Sequence, residues 1–436
     1  GKSVSKMSSF FANASYSYLD KYILTGALRY DGSDIIGNDN QFTPLWNVGL
    51  RWNLHREEFM KRWMWVDQFA VRGGFGYTGS IDKNALPFVV MTLGQSVIYD
   101  GQTVPTSFSY PNPNVKWQTK QDMNVGLDLS LFDYRLELGV NYYNNITRDV
   151  LDRKALPYSS GRSEVTENVA DIYNSGWEID LGVTLLKNKS FQWYAKANIA
   201  INDNKVKNTY YKDTKDLPKA TLSNAHQFVE NQPVNGWYGY KFAGINPING
   251  AVMTYTGNGE ATLDMSVSGA TWPIPSVFYL GNLTPPVVGG FSTSANWKQL
   301  IFSANFEFKT GHKIKSFNTF RSLDARNRHT SEANRWREPG DITNVPAMSE
   351  AFTTYSSYMY DILLEKGNYL RCSYMTLGYN LKPEWLHKIG FSTARLSFTA
   401  KDLFTVSSYS GIDPALMGSF GYPNSRKYTI TLNVGF

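Results

Sequence analysis

Three glycines in one strand-like segment have the spacing of a nucleotide-binding fingerprint. Gly74, Gly76 and Gly79 match G-x-G-x-x-G, a pattern in which the backbone approaches a pyrophosphate and a following helix binds it. The residues after Gly79 read SIDKNALPF, which does not form an amphipathic helix. Gly74 and Gly76 also fall on the polar face of an alternating segment. We therefore interpret them as points of close backbone approach in a sheet, and we expect no cofactor.

Histidine, cysteine and acidic residues form no recognisable catalytic or metal-binding motif. The histidines are dispersed, without HExxH or i, i+4 spacing; they are His55, His226, His312, His329 and His387. Cys372 is the single cysteine, so it forms no internal disulfide and provides no metal framework. The adjacent Glu57 and Glu58 fit a solvated turn. The sequence therefore predicts no catalytic residue, no metal site and no enzyme activity.

Composition argues against a helical membrane protein and against nucleic-acid binding. Aromatic residues are 15 % of the 436 residues and charged residues only 18 %, as in proteins with aromatic girdles at membrane interfaces. The net charge is +6, but the 43 Lys and Arg form no basic run, so we expect no nucleic-acid partner. A run of 18 uncharged apolar residues is absent, which excludes a transmembrane helix.

Alternating apolar and polar residues recur in blocks of roughly nine to twelve, the length of a tilted membrane strand. In one block Trp46, Val48 and Leu50 alternate with Asn47 and Gly49. The polar positions are mostly Asn, Gly, Ser and Thr, which suits a wet or plugged lumen. About thirteen strands are predicted, near residues 10–18, 22–31, 45–53, 69–78, 121–131, 135–145, 175–185, 191–202, 287–297, 300–309, 369–381, 392–401 and 427–436.

The connections between these strands alternate strictly between short and long. The short set is 19–21, 54–68, 132–134, 186–190, 298–299 and 382–391, and 54–68 has room for a short helix. The long set, rich in Gly, Pro, Asn and Tyr, is 32–44, 79–120, 146–174, 203–286, 310–368 and 402–426. Outer-membrane barrels have short periplasmic turns and long extracellular loops. The sequence therefore predicts an all-β fold, a transmembrane antiparallel β-barrel.

The same alternation sets the direction of each strand. If the last strand ends in the periplasm, the strand at 10–18 also runs inward and the chain begins outside. Single-chain bacterial barrels have an even strand number with both ends periplasmic, and GKSVSKMSSF lacks the apolar core of a signal peptide. We therefore expect 1–436 to be the C-terminal part of one barrel, with strands missing before Gly1. A hairpin hidden near 239–257 would add two strands, so the number of strands would remain odd and the chain would still begin outside.

The C-terminal strand and the long loops supply the candidate functional residues. The chain ends in alternating apolar residues with a terminal aromatic, which favours an outer-membrane insertion signal over an ordinary edge strand; these residues are Tyr428, Ile430, Leu432, Val434 and Phe436. Loop aromatics flanked by Asn, Asp and Arg suit sugar or peptide binding, although loop packing is the commoner role of any single ring. Our candidate substrate contacts near the barrel mouth are Trp237, Tyr240, Trp336, Tyr409 and Tyr422.

Short segments along the chain form a recognisable combination. They are 22–33 YILTGALRYDGS, 69–79 FAVRGGFGYTG, 174–181 NSGWEIDL, 367–371 GNYLR, 376–379 TLGY, 400–404 AKDLF, 409–414 YSGIDP and the end of the chain from Tyr422-Pro to Phe436. Their order and spacing resemble the C-terminal half of the SusC-like (SusC/RagA) family of TonB-dependent outer-membrane transporters of Bacteroides-type bacteria, over essentially the whole chain. Two positions depart from it: Asp402, where the family often has Asn, and Ala415, where it often has an acidic residue.

The resemblance implies more than the residues themselves establish. It implies a barrel of about 22 strands, of which this chain would supply the last thirteen. The N-terminal barrel portion, the plug domain and the TonB-binding segment would lie outside 1–436. The partners implied are TonB, a SusD-like surface lipoprotein that lids the barrel, and outer-membrane lipid, and the implied activity is energy-coupled import of oligosaccharides or peptides.

Two other functions remain open at this stage. A passive outer-membrane porin would be favoured by a full-length sequence without a plug. A secreted soluble β-rich carbohydrate-active protein, such as a propeller, predicts internal repeats of roughly 40–50 residues, which the sequence does not contain. We expect an integral protein of a Gram-negative, Bacteroides-like outer membrane, and the aromatic loops favour a glycan over a peptide as substrate.

Overall fold

Thirteen strands pair in chain order into one antiparallel sheet, which we call the wall. The computed structural model describes residues 6–34, 36, 41–81, 91–99, 102–108, 116–155, 159, 164–214, 228–263, 277–316, 333–347, 359–386, 390–418 and 421–436. Within these ranges, no helix combines the length and apolarity needed to cross a membrane.

The strands cover most of the described chain. They are β1 (Met7–Tyr18), β2 (Tyr22–Ser33), β3 (Phe42–Asn53), β4 (Val66–Ser80), β5 (Met91–Tyr99), β6 (Gln102–Phe108), β7 (Gln118–Leu131), β8 (Leu136–Ala155), β9 (Glu164–Lys187), β10 (Phe191–Lys207), β11 (Gly236–Gly239), β12 (Phe242–Ile245), β13 (Val252–Tyr255), β14 (Ala261–Leu263), β15 (Phe278–Asn282), β16 (Val287–Trp297), β17 (Leu300–Thr310), β18 (Lys313–Lys315), β19 (Leu364–Lys366), β20 (Tyr369–Asn380), β21 (Thr393–Ser407) and β22 (Lys427–Gly435). The wall is β1–β2–β3–β4–β7–β8–β9–β10–β16–β17–β20–β21–β22. Short helical turns are Leu54–Arg56, Glu58–Arg62, Asp361–Leu363, Pro383–Leu386 and Pro414–Leu416.

The thirteen predicted strands are the thirteen strands of the wall, and the short helix expected in 54–68 is present as two 3₁₀ turns. The largest difference is length: β8 and β9 extend about ten residues beyond their predicted outer ends. The apolar alternation stops there, but the ladder continues, and Val150 and Ala170 pack on Val206 of β10 in a small core. The hairpin expected near 239–257 exists as β12–β13, but it belongs to a separate sheet with β14 and adds no wall strand.

The wall has one apolar and one polar face. Along β2 and β3, Leu24, Leu28, Val48 and Leu50 are exposed, so the chain presents a band of apolar side chains that only lipid would cover. The other face has charged and amide groups that bond across strands. Arg51 and Arg72 both contact Asp128, at 2.8 and 3.6 Å, as expected for a polar lumen.

Tyrosines on this polar face reach over a glycine to the second strand along. Tyr143 of β8 donates a 2.8 Å hydrogen bond to Asn202 Oδ1 of β10, passing over Gly176 of β9, which pairs with both. Tyr194 of β10 reaches Glu137 of β8 in the opposite direction, over a second glycine of β9. A Cβ atom at Gly176 would lie 2.5 Å from the Tyr143 hydroxyl and 2.3 Å from the Ile201 carbonyl oxygen. Glycine is therefore required there for space.

We expect Gly176→Ala to destabilise the full-length protein by about 1–3 kcal/mol, because the new methyl group meets a backbone carbonyl that cannot move freely. The matched control is Gly139→Ala on neighbouring β8, where the nearest heavy atom to the added Cβ is 3.7 Å away. The stability of both variants is measured as the urea concentration at the midpoint of unfolding in detergent. Equal midpoints for the two variants would show that Gly176 is not needed for packing.

Candidate functional site at the extracellular mouth

The long connections build an ordered structure above one end of the wall. We call residues 236–263, 277–283, 312–316, 333–347, 359–366 and 409–417 the loop assembly. It contains three small sheets, β11–β15, β12–β13–β14 and β18–β19. These segments come from three different connections of the wall.

Two neighbouring apolar cores hold the loop assembly together. The first consists of Val229, Tyr238, Tyr240, Ile245, Val252, Val277 and Tyr360. The second consists of Trp237, Leu280, Met359 and Leu364. The main chain joins them: the amide of Tyr240 donates to the Met359 carbonyl at 2.8 Å, and the amide of Asp361 donates to the Tyr240 carbonyl at 3.0 Å. Trp237 of β11 belongs to the second core and Tyr238 of β11 to the first, so one short strand contributes to both cores.

Four of the five candidate aromatic residues lie in this assembly. Trp237 is 3 % exposed, and its indole N–H donates to the Lys313 carbonyl at 2.9 Å. Tyr409 donates from its hydroxyl to the Lys315 carbonyl at 3.1 Å, so both rings fix strand β18. Trp336 packs against the first core, of which Tyr240 is a member, and its indole N–H donates to the Pro247 carbonyl at 3.1 Å.

Tyr422 is separate from the other four. It lies in the β21–β22 connection and is 100 % exposed, so its whole ring faces solvent. It is the most exposed of the five candidates. The role of all five as substrate contacts stays a prediction, and the geometry of the other four is that of packing residues.

A buried ion pair connects the wall to the loop assembly. Arg371 of β20 and Asp413 of the β21–β22 connection are both buried, and their side chains meet at 2.5 Å. Arg371 also donates to Thr405 Oγ1 at 3.1 Å, and Asp413 accepts from the Ala415 amide at 2.9 Å, which caps the turn Pro414–Leu416. The segments GNYLR and YSGIDP of the sequence thus meet in space. The alternation of apolar and polar residues assigns neither residue a role, and the signal in the sequence is that each belongs to one of those two segments.

A carboxylate ties β19 to the same connection. Glu365 accepts from the Ser410 amide at 2.8 Å and from the Ser410 hydroxyl at 2.6 Å. Burial acts to raise the pKa of Glu365, but hydrogen bonds from Ser316 and Ser410 outweigh it and lower the pKa. The carboxylate therefore stays charged at neutral pH and fixes the segment that contains Tyr409.

The C-terminal strand places its apolar residues on the lipid-facing side. Tyr428 stacks on Phe398 of β21 with 6.1 Å between ring centroids, and Phe436 meets Phe391 edge-on at 5.1 Å. Four of the five predicted signal residues are exposed and Val434 is half-buried; the exposed residues are Tyr428, Ile430, Leu432 and Phe436. Their role in insertion stays a prediction.

Metal ligands do not cluster in the described part of the chain, where no group of three or more His, Cys, Asp or Glu residues is suitably arranged. Cys372 is buried on the wall. Of the histidines, His226, His329 and His387 lie outside the described residues. His312 is buried within the loop assembly, beside Gly367.

Comparison with known proteins identifies relatives of the whole chain. The family model described as TonB dependent receptor-like, beta-barrel matches residues 2–307. TonB-dependent receptor P3 of Formosa agariphila is 29 % identical over 98 % of this chain and 45 % of its own length. TonB-dependent receptor SusC of Bacteroides thetaiotaomicron is 23 % identical over 98 % of this chain and 43 % of its own length. The chain thus spans just under half the length of these relatives.

Solved structures agree with the fold. The RagAB peptide importer in its "open-open" state superposes with a TM-score of 0.80 at 25 % identity, over 99 % of this chain and 47 % of that chain. The structure of the RagAB peptide transporter superposes with a TM-score of 0.79, also at 25 % identity, over 99 % of this chain and 48 % of that one. The similarity therefore includes the loop assembly as well as the wall.

We expect Arg371→Leu to destabilise the loop assembly by about 3–5 kcal/mol, because it leaves the Asp413 carboxylate buried without its partner. Limited thermolysin digestion of the full-length protein in detergent measures the change. The matched control is Arg395→Leu at the other end of β20–β21, where Arg395 bonds Asn380 at 2.7 Å on an exposed surface. If Asp413→Asn adds its full effect to that of Arg371→Leu, the two residues are not coupled.

We expect the loop assembly to lose stability as the pH falls below about 6.5, the ordinary pKa of histidine. The Nδ1 of His312 is buried without a hydrogen-bond partner among the described residues, and burial, aided by the charge of Lys309, lowers its pKa. The unfolded loop therefore binds a proton that the folded loop does not, so folding is favoured at higher pH. Thermolysin resistance measured between pH 7.5 and 5 should fall in the wild type and change less in His312→Phe. Parallel profiles for the two proteins would refute the assignment to His312.

Proposed function

The chain belongs to the TonB-dependent receptor-like β-barrel family, and we propose that it forms the wall and outer loops of an energy-coupled importer in the outer membrane. The observation that supports this most is the thirteen-strand meander, which has a polar face and gathers its long connections at one end. Such a wall surrounds a solvated passage, and its long loops form a selective entrance.

The edges of the wall indicate what else the importer needs. Within the described residues, β1 and β22 each pair on one side only. An unpaired backbone N–H or C=O in lipid costs several kcal/mol, so open edges do not persist in a membrane. In our proposal, strands from outside residues 1–436 close the barrel to about 22 strands, and the plug and TonB-binding segment also belong to that outside portion.

The alternatives fit less well. A secreted soluble carbohydrate-active protein would have to expose the apolar outer face of the wall to water, which favours aggregation. A passive porin shares the wall, but no feature of the described residues favours it over the family's energy-coupled members. The relatives are named as receptors and transporters, and we propose no enzyme activity.

The substrate in our proposal is an oligosaccharide or a peptide. Aromatic residues in the long loops support a glycan less than the sequence suggests, because four of the five candidate rings pack inside the loop assembly. The two solved structures similar to this chain are described as a peptide transporter and a peptide importer. In our proposal this makes a peptide the stronger choice of substrate.

A protonophore experiment tests energy coupling. Cells that make the full-length protein should lose uptake of labelled peptides or oligosaccharides when the proton motive force is collapsed, and also when TonB is deleted. A porin of similar pore size is the control, since its uptake does not depend on either. Uptake that survives both treatments would favour the porin.

We expect a SusD-like lipoprotein to dock on the outside of the loop assembly. Ile248 is 74 % exposed and Ile342 is 97 % exposed, and hydrogen bonds from Trp336 and Gly340 to the Pro247 carbonyl bring their two segments together. Contiguous exposed apolar patches mark protein interaction sites, and in our proposal these two isoleucines belong to one such patch.

Substitution of Ile248 and Ile342 by Asp should reduce co-purification of the lipoprotein at least about tenfold, because two charges would be buried on docking. The matched control is Asn249→Asp, which adds a charge to the same exposed turn without removing apolar surface. Pull-down of the tagged full-length protein, quantified by mass spectrometry, measures the ratio. Equal recovery with all variants would place the docking surface elsewhere.

A further inference from the structure

A polar cavity lies at the outer end of the wall, below the loop assembly. It has a volume of about 480 Å³ and is enclosed by β9, β10, residues 231–235 and residues 282–286. Six asparagines line it: Asn174, Asn202, Asn204, Asn231, Asn235 and Asn282. Asn174, Asn202 and Asn204 lie on the polar face of the wall, the face that borders the lumen in the proposed importer.

A backbone amide fixes the orientation of the first asparagine pair. The Val234 amide donates to Asn204 Oδ1 at 2.7 Å, and a backbone N–H can only donate, so this atom must be the oxygen. The Asn204 Nδ2 then donates to Asn174 Oδ1 at 2.7 Å. The Nδ2 group of Asn174 is consequently the part of that side chain left for a ligand.

Two tyrosines contact the Oδ1 atoms of two more asparagines. Tyr143 donates to Asn202 Oδ1 at 2.8 Å, and Tyr279 donates to Asn282 Oδ1 at 2.6 Å. Within the described part of the chain, the Nδ2 groups of Asn174, Asn202 and Asn282 form no hydrogen bond. The residues that line the cavity thus include three amide N–H₂ groups without a partner in that part of the chain, and each adjacent oxygen accepts one hydrogen bond.

The frame around these donors is rigid and close to neutral. Val206 of β10 packs with Val150 and Ala170, and Val234 packs against the same core, so the covering segment is anchored. The Asn202 amide donates to the Pro286 carbonyl at 2.8 Å, which fixes the other side. The charged residues on the rim, Asp203 and Lys205, pair with each other at 2.6 Å. Rigid donors lose little entropy on binding, and the site favours no net ligand charge.

We propose that this cavity binds main-chain carbonyl oxygens of an extended peptide on its way through the importer. The inference rests on the proposed import function and adds the site and its chemistry. A peptide carbonyl oxygen accepts hydrogen bonds, which matches N–H₂ donors that have no partner among the described residues. A sugar hydroxyl can accept the same bonds, so the choice of a peptide rests on the proposed function, and titration with a glucose oligomer tests it. The volume is within the range of about 300–1,000 Å³ typical of ligand pockets.

Asparagine-to-aspartate substitutions test the site without changing its shape. Asn174→Asp keeps an oxygen for the bond from Asn204 and replaces the free donor with an acceptor, and Asn282→Asp does the same beside Tyr279. The complete transporter with its partner chains is purified in mild detergent, stripped of bound ligand and titrated by calorimetry. The probes are short uncharged synthetic peptides of mixed sequence and, separately, a linear glucose oligomer.

We expect each substitution to weaken peptide affinity about tenfold, because repulsion between two oxygen atoms replaces one hydrogen bond to the peptide. The matched control is Asn198→Asp, an exposed residue on the same face of β10 that does not line the cavity, and its affinity should stay within about twofold of wild type. Heat-modifiable migration on gels confirms that each variant is folded.

Several outcomes would overturn the proposal. Peptide affinity unchanged in both cavity variants would do so, as would a wild-type protein that binds the glucose oligomer and not the peptides, or binds neither. Failure of the import function is a separate result: uptake that ignores the proton motive force would reject the importer even if peptide affinity still depended on Asn174 and Asn282.

Discussion

The structure depends on one constraint, which is that backbone N–H and C=O groups in lipid must bond to each other. An antiparallel meander meets it with the shortest connections, because each strand pairs with the next wall strand along the chain. Short turns at one end follow directly. The other end is free of this requirement, since it lies in water, and there the chain places its long connections. The asymmetry between the two ends is therefore a physical consequence of the membrane.

The loop assembly is held together by different interactions from those of the wall. Its backbone is paired only in short sheets, so buried aromatic rings and a few polar contacts must hold it. Arg371 and Asp413 are central because a buried charge is tolerated only with its partner in place. This pair joins a wall strand to the β21–β22 connection, and Glu365 joins that connection to β19. The positions of the loops are thus coupled to the pairing of the strands beneath them.

This division explains which parts of the molecule the sequence predicted. The wall follows from a period of two, which is local, and all thirteen strands were placed from it. The contacts of the loops join distant residues: Trp237 bonds Lys313, and Arg371 bonds Asp413. No local pattern contains such pairs. The aromatic residues could be identified as important, but whether a ring packs inward or faces a ligand depends on those long-range contacts. Tyr422 and Tyr240 look alike in sequence and have opposite environments.

The same reasoning explains why the asparagine cavity was not predicted. Asn is common on the polar face of the wall, and composition alone makes each one an ordinary lumen residue. Its chemistry becomes specific only when a backbone amide, that of Val234, fixes Asn204 and through it Asn174. Val234 is 60 residues away from Asn174 in the sequence, and it reaches the cavity because a small apolar core holds residues 228–234 against β10. An apolar contact above the membrane thereby determines which atom of a polar side chain a ligand would meet.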